Sequence, residues 1–283
     1  MALLPSFREH SAEPDQRRGS PMSSAIRMIP CLLLKEQSFY KTTRFGEPRY
    51  LGDPINIVRI FNEKEVDELC ILDIGATPED GGPQFDYLAE LAEECFMPLS
   101  YGGGISSVED CRRLISSGFE KVILNTAAAE TPELIGAVSS TFGSQAVVVS
   151  LDVRRSEDSQ CTVWTRGGTC DTGEDPVTAA RRAEALGAGE ILLNAIDRDG
   201  TMAGYDLGLI QAVASAVQVP VIACGGARDI EDLVAASLDA GASAVAAGSL
   251  FVFFGRRRAV LINPPTYDEF QQAVAAGRVG RGV

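Results

Sequence analysis

The stretch EILLNAIDRDGTMAGYDLGLIQAVASAVQVPVIACGG, residues 190–226, decides how this chain folds. It opens on a short apolar run, EILLNAID (190–197), passes through a polar, glycine-containing loop, continues as a helical pattern over 207–217, and reaches a second apolar run, VPVIACGG (219–226). Both runs are nearly continuous in apolar residues, as expected of strands buried on both faces; with a helix between them, they predict a parallel strand–helix–strand unit.

Outward from this unit the same pattern recurs. MIPCLLL (28–34), LCILDI (69–74), MPLSYGG (97–103), KVILN (121–125), AVVVSLD (146–152) and ASAVAAGS (242–249) complete a set of eight apolar runs. Helical patterns lie near 54–66, 86–95, 106–117, 131–141, 175–187, 229–240 and 267–276, several of them opened by an Asp, Thr or Pro suited to a first turn. Eight such units in about 250 residues fit an α/β fold of the closed (β/α)8 TIM-barrel type. An open dinucleotide-binding sheet is the weaker reading, because no G-x-G-x-x-G follows any of the runs. Residues 1–25 mix Pro, Ser, Arg and Glu without periodicity and read as a disordered leader, with Met22 a second candidate start; 26–276 read as a single barrel and 277–283 as a flexible tail.

The two halves of the barrel resemble each other. IPCLLLK aligns with VVSLDVR, setting Leu33 opposite Asp152 at an offset of 119 positions, and YGGGI aligns with ACGGA, setting Gly103 opposite Gly225 at 122. A near-constant offset of about half the folded length implies two half-barrels; chance similarity between glycine-rich loops is the alternative.

Those glycines are also the strongest local signal of chemistry. Gly103 and Gly104, with Asn125 and Thr126 after the next strand, make one pair of loops; Gly225 and Gly226, with Gly248 and Ser249, make the other. Backbone free of side chains lets several N–H groups converge on an anion, so two such pairs half a barrel apart predict a substrate with a phosphate at each end. A single GG after a buried strand is equally a tight turn. Acids at the same strand ends are Asp73, Asp152, Asp197 and Asp199, with Asn194 as a further polar group of the mouth; a carboxylate there serves as general acid or base or binds hydroxyls. Asp197 and Asp199 flank Arg198, so ion pairing within their own loop is the competing reading.

Composition removes several classes of function. With 25 basic and 39 acidic residues the net charge is −14, which gives no general attraction to nucleic acid or anionic membranes. The one histidine, His10, lies in the leader, so no histidine-dependent nucleophile or histidine-ligated metal site is expected, and no cofactor motif is present. Seven cysteines without a C-x-x-C pair read as reduced thiols of a cytoplasmic protein, and no run is long enough to span a membrane.

From about Ile26 to Phe270 the chain resembles the cyclase subunit of imidazole glycerol phosphate synthase, the HisF family. IPCL, LDI, GGGI, LNTAA, LDV, GAGEILL, DRDGTMAGYDL and VIACGGA stand in that family's order. The resemblance implies a lyase-type synthase barrel that takes ammonia from a glutaminase subunit and uses it at the barrel mouth on a bis-phosphorylated precursor. It also implies roles residue by residue: Asp152 as the second catalytic aspartate, Lys41 on a mobile loop, Gly104, Asn125, Gly200, Gly226 and Ser249 as phosphate binders. Arg27, Glu68, Lys121 and Glu190 match an ammonia gate at the opposite face. These four stand at or just before the starts of the first, second, fourth and sixth strands, where two acids and two bases can also pair as a simple surface cluster.

One departure weighs against ring closure. The family's first catalytic aspartate is replaced by Leu33, in IPCLLLK, and loss of a general acid or base typically costs about 10²–10⁴-fold. IPCLLLK, GDPINIVRIFNEKEVDEL and AAGSLFVFFGRRRAVLINPP further resemble a HisF paralogue associated with surface-polysaccharide genes. That likeness implies a barrel that conducts ammonia to a separate sugar amidotransferase making an acetamidino sugar. The alternatives are a histidine-pathway cyclase working through Asp152 alone and a phosphosugar isomerase on a related barrel, the latter disfavoured by Leu33.

Overall fold

The computed structural model describes residues 25–76, 82–156, 158–255 and 257–282; the leader through residue 24, with His10 and Met22, lies outside the described residues. Eight parallel strands form the centre: β1 (Arg27–Lys35), β2 (Leu69–Asp73), β3 (Leu99–Gly102), β4 (Lys121–Leu124), β5 (Val147–Arg155), β6 (Glu190–Ala195), β7 (Val221–Cys224) and β8 (Ala244–Ala247). Each pairs with the next, and β8 returns to β1 through the register Arg27–Ala244 to Pro30–Ala247. The sheet is therefore closed, and none of the eight strands is left with an unpaired edge.

Helices cover the outside: α1 (Pro54–Glu63), α2 (Phe85–Glu93), α3 (Val108–Ser116), α4 (Glu133–Phe142), α5 (Pro176–Ala185), α6 (Leu207–Ala214), α7 (Ile230–Leu238) and α8 (Tyr267–Arg281). Their starts are fixed locally. Asp53 accepts from the Asn56 amide at 2.9 Å and is followed by Pro54, Asp175 does the same for Thr178 before Pro176, and Ser107 with Asp110 forms a reciprocal capping box. The last helix corrects the expected boundary at 276, because it runs on through most of the stretch read as a tail. Arg281 pairs with Asp239 at the end of α7, and Gly282, in a left-handed conformation, stops the helix.

The repeat read from sequence is a repeat in structure. β1 and β5 are the two nine-residue strands, and each continues into an antiparallel arm: Ser38–Lys41 with Arg49–Gly52 after β1, and Cys161–Thr165 with Cys170–Asp171 after β5. β4 and β8 are each followed by a short helical turn, Thr126–Glu130 and Ser249–Val252. Inside the barrel, alternate residues of the strands meet in a buried apolar plug of Ile29, Cys31, Cys70, Ile123, Val148, Leu192, Ile222, Cys224, Ala244 and Ala246. The plug separates two polar ends.

Candidate functional site

At the N-terminal end of the strands the four charged residues close a single ring. Arg27 donates through one nitrogen to Glu68 at 2.7 Å and through the other to Glu190 at 2.6 Å; Lys121 donates to the same two carboxylates at 2.8 and 3.0 Å. Each acid thus faces both bases and the ring is neutral. Glu68 is almost wholly buried and Arg27 the most open of the four. The ring caps the plug from below.

At the C-terminal end lies a cavity of about 660 Å³. Its floor is Cys31, Leu72, Ile123 and Cys224, the upper layer of the barrel interior. The two arms roof it, through Phe45–Pro48 on one side and Arg166–Gly167 on the other. Within it the loops after β3 and β4 (Gly103, Gly104, Asn125, Thr126) face those after β7 and β8 (Gly225, Gly226, Gly248, Ser249), with Gly200 of the loop after β6 at the same wall.

Asp152 is the central acid. It sits on β5, buried, accepting from Asn125 Nδ2 at 3.2 Å and, at 3.5 Å, from the Ser150 hydroxyl. Burial pushes its carboxyl up to about 7, helped by the nearby charge of Asp199 and opposed by its hydrogen bonds with Asn194 and Ser150. Leu33, on β1, lines the same cavity and offers no proton. Lys41 enters from the first arm and forms a buried ion pair with Asp199 at 2.8 Å, supported by the Thr42 hydroxyl at 3.2 Å. Burial is the largest single influence and acts to lower the Lys41 amine, but the charge and hydrogen bond of Asp199, with smaller contributions from Cys31 and Cys224, together hold it above its ordinary value.

Of the other two expected mouth acids, Asp73 lines the cavity with its carboxylate engaged locally and Asp197 lies outside it. Asp73 accepts from the Gly75 and Ala76 amides at 2.9 and 3.0 Å and from the Tyr101 hydroxyl at 3.3 Å, so its carboxylate shapes its own loop. Asp197 turns away from the cavity and accepts from the Arg155 amide at 2.7 Å, bracing the second arm. Arg198 pairs with neither neighbour in the expected way; it donates to the Ala203 and Gly204 carbonyls.

The glycines are required for folding as well as for access. Gly103 and Gly226 have φ of +135° and +115°, and a Cβ would stand 2.4 Å from the Asp73 carbonyl oxygen and 2.3 Å from that of Gly204. Gly226→Ala is therefore expected to cost about 2–3 kcal/mol, a loss of several degrees in Tm, before any question of ligand arises. A thermal melt indistinguishable from the parent would contradict this. Polar atoms without partners point to what the cavity takes. Among the described residues the buried side-chain atoms lacking a hydrogen bond are Asn194 Oδ1 and Ser249 Oγ, both in the mouth. Leaving such atoms unpaired is costly, and both are free to take a hydrogen bond from a polar group entering the cavity. Thr126, by contrast, already accepts from the Arg166 amide.

Sequence reasoning missed both arms and with them Phe45, Glu47, Arg166 and Gly167 of the roof. The T-R-G-G-T turn at 165–169 was the available signal.

A closed eight-stranded parallel barrel with a cavity at its C-terminal mouth, built from two repeated loop pairs, and a charged ring at its other end defines a (β/α)8 TIM-barrel protein. Comparison places it further: the chain belongs to the histidine biosynthesis protein family, which it matches over residues 27–257, and within that family to the HisF group. It is 52% identical over 243 residues to the provisionally named imidazole glycerol phosphate synthase subunit hisF2 of Pseudomonas aeruginosa, covering 86% of this chain and 97% of that one. It is 45% identical to a provisionally named HisF subunit of Leptospira interrogans (86% and 96% covered) and 48% identical to the imidazole glycerol phosphate synthase subunit HisF of Caulobacter vibrioides (80% and 88% covered). Among the described residues no helix is long and apolar enough to cross a membrane.

Proposed function

We propose that this chain is the ammonia-carrying barrel of a glutamine-dependent pair: a glutaminase docks at the N-terminal face, ammonia passes the ring and the apolar plug, and a separate sugar amidotransferase takes it up at the mouth. The product class is an acetamidino sugar of a surface polysaccharide, and the place of work is the cytoplasm. The observation that carries this reading is the pairing of a complete ring below with Leu33 above. The charged ring is complete, while the β1 position that lines the mouth with Asp152, where ring closure calls for a second catalytic acid, is Leu33. Phosphate groups of the acceptor or of an effector are held by Gly103, Gly104, Asn125 and Thr126 on one side and by Gly200, Gly225, Gly226, Gly248 and Ser249 on the other, with Lys41 and Asp199 between them.

The alternative, a cyclase of histidine biosynthesis, draws on Asp152 being poised near neutrality and on the Caulobacter relative's name. Growth of a cyclase-deficient histidine auxotroph carrying this chain decides between the two. No growth is expected. Leu33→Asp should restore detectable ring closure with free ammonia, raising the rate by about 10²-fold over the parent, since it returns the missing proton donor to the wall facing Asp152. Vigorous growth on the unaltered chain defeats the conduit reading.

A further inference from the structure

Four large apolar side chains are left in solvent beside the mouth. Tyr50 is 57% exposed, Phe254 64%, Val260 42% and Leu261 51%. They belong to two neighbouring hairpins: the first arm, and a second hairpin in which Phe253–Phe254 pairs with Ala259–Val260. The hairpins are fastened together and to the rim. The Arg49 guanidinium lies 5.0 Å over the Phe253 ring, and Arg258 donates to the Gly200 and Thr201 carbonyls at 3.1 Å each. Gly200 is itself part of the mouth wall, so the second hairpin is tied to the opening through Arg258.

Charge sets this patch apart from the rest of the molecule. Residues 43–52 and 253–261 contain five arginines (44, 49, 256, 257 and 258) and one acid, Glu47, in a chain of net charge −14. Arg44, Arg49 and Arg257 are exposed. Exposed aromatic and aliphatic groups among arginines, with acids nearly excluded, have the composition of an interface core rather than of ordinary surface. A two-fold contact with a second copy would set arginines against arginines, so the complement belongs to a different protein.

We propose that the two hairpins are the docking surface for the acceptor-side amidotransferase, which presents an apolar centre ringed by acidic side chains and so brings its own entrance over the barrel mouth. This rests on the ammonia-relay reading above. Desolvated apolar anchors give affinity, and the arginines give orientation and a salt-sensitive on-rate.

The test uses the full chain with its glutaminase and the purified sugar amidotransferase. Affinity for the amidotransferase is measured by titration calorimetry for the parent, for Phe254→Asp with Leu261→Asp, and for Arg257→Glu, each checked by thermal melting. The apolar double variant should bind about 30-fold more weakly or worse, and nitrogen transfer at limiting concentration should fall with it, while glutamine hydrolysis by the glutaminase pair is unchanged. Added salt should weaken the parent more than Arg257→Glu. Parent-like affinity in correctly folded hairpin variants overturns the docking proposal, as does a self-association of the chain alone that Phe254→Asp abolishes, or amidotransferase binding that appears only after residues 1–24 are removed. If hairpin variants transfer normally while ring variants do not, docking falls and the relay stands. If the barrel with its glutaminase makes imidazole glycerol phosphate and the amidotransferase works equally well without it, the relay falls too.

Discussion

Lys121→Ala is expected to uncouple glutamine hydrolysis from nitrogen transfer and to destabilise the barrel at the same time. Lys121 and Arg27 each bridge Glu68 and Glu190, so losing any one of the four leaves the ring charged. Taking out the lysine leaves two carboxylates, one of them almost wholly buried, sharing Arg27. Removing one member of a buried pair costs about 3–5 kcal/mol when the other charge stays behind; at this partly open end about 2–3 kcal/mol is expected. In the proposed relay the excess negative charge would also act on ammonia at the ring. A unit charge at about 4 Å contributes on the order of 4 kcal/mol at an effective dielectric near 20, enough to hold ammonium in the ring in preference to neutral ammonia. Delivery should drop by about tenfold or more while glutamine continues to be consumed. The double variant Lys121→Met with Glu68→Gln restores neutrality and should recover most of the lost stability. Chemical denaturation combined with the ratio of glutamate formed to nitrogen transferred reads both effects. A Lys121→Ala protein with parent stability and a parent ratio would reduce the ring to a surface cluster.

The eight repeated units were legible because the strands of a closed parallel barrel are buried on both faces. MIPCLLL and VPVIACGG can hardly be anything else, and the Asp–Pro pairs at 53–54 and 175–176 mark helix starts from within their own turn. The arms were not, because their strands are short and half-exposed: Ser38–Lys41 alternates buried and half-buried, and Cys170–Asp171 is exposed throughout. A four-residue segment carries too little periodicity to register. The strand-end rule brought Asp73, Asp152 and Asp199 to the cavity wall but misplaced Asp197. Position along a strand does not say whether a carboxylate reaches the cavity or is caught by a nearby amide, although Asp73 followed two residues later by glycine is a turn signal. The end of α8 depends on Asp239, 42 residues back, which no local pattern contains.

Asp152→Asn should make the protein more stable at pH 8 and leave it nearly unchanged near pH 4. The carboxyl is held at about 7 in the folded chain against an ordinary 3.8, with burial as the main cause. The folded state therefore keeps a proton on Asp152 that the unfolded chain has already lost. Below about pH 4 both states are protonated and the side chain makes no demand. Between about pH 4 and 7 each rise in pH favours the unfolded chain, and above 7 the buried carboxylate is charged, at a cost approaching 3–4 kcal/mol. An amide never ionises, so the variant escapes that cost. It also presents an N–H group towards Asn125 and loses one acceptor, which takes back about 1 kcal/mol. A net gain of about 2–3 kcal/mol at pH 8 is expected, shrinking to nothing or turning slightly negative by pH 4, and guanidinium unfolding of both proteins at the two pH values reads it directly. Equal differences at both pH values would mean that Asp152 is not the group titrating near neutrality. A carboxyl kept at such a cost to folding, in the wall of the cavity that Leu33 and Ser249 also line, marks Asp152 as a functional-site candidate. On the cyclase alternative Asp152 would have to exchange protons without a second acid on β1, which is what Leu33→Asp tests.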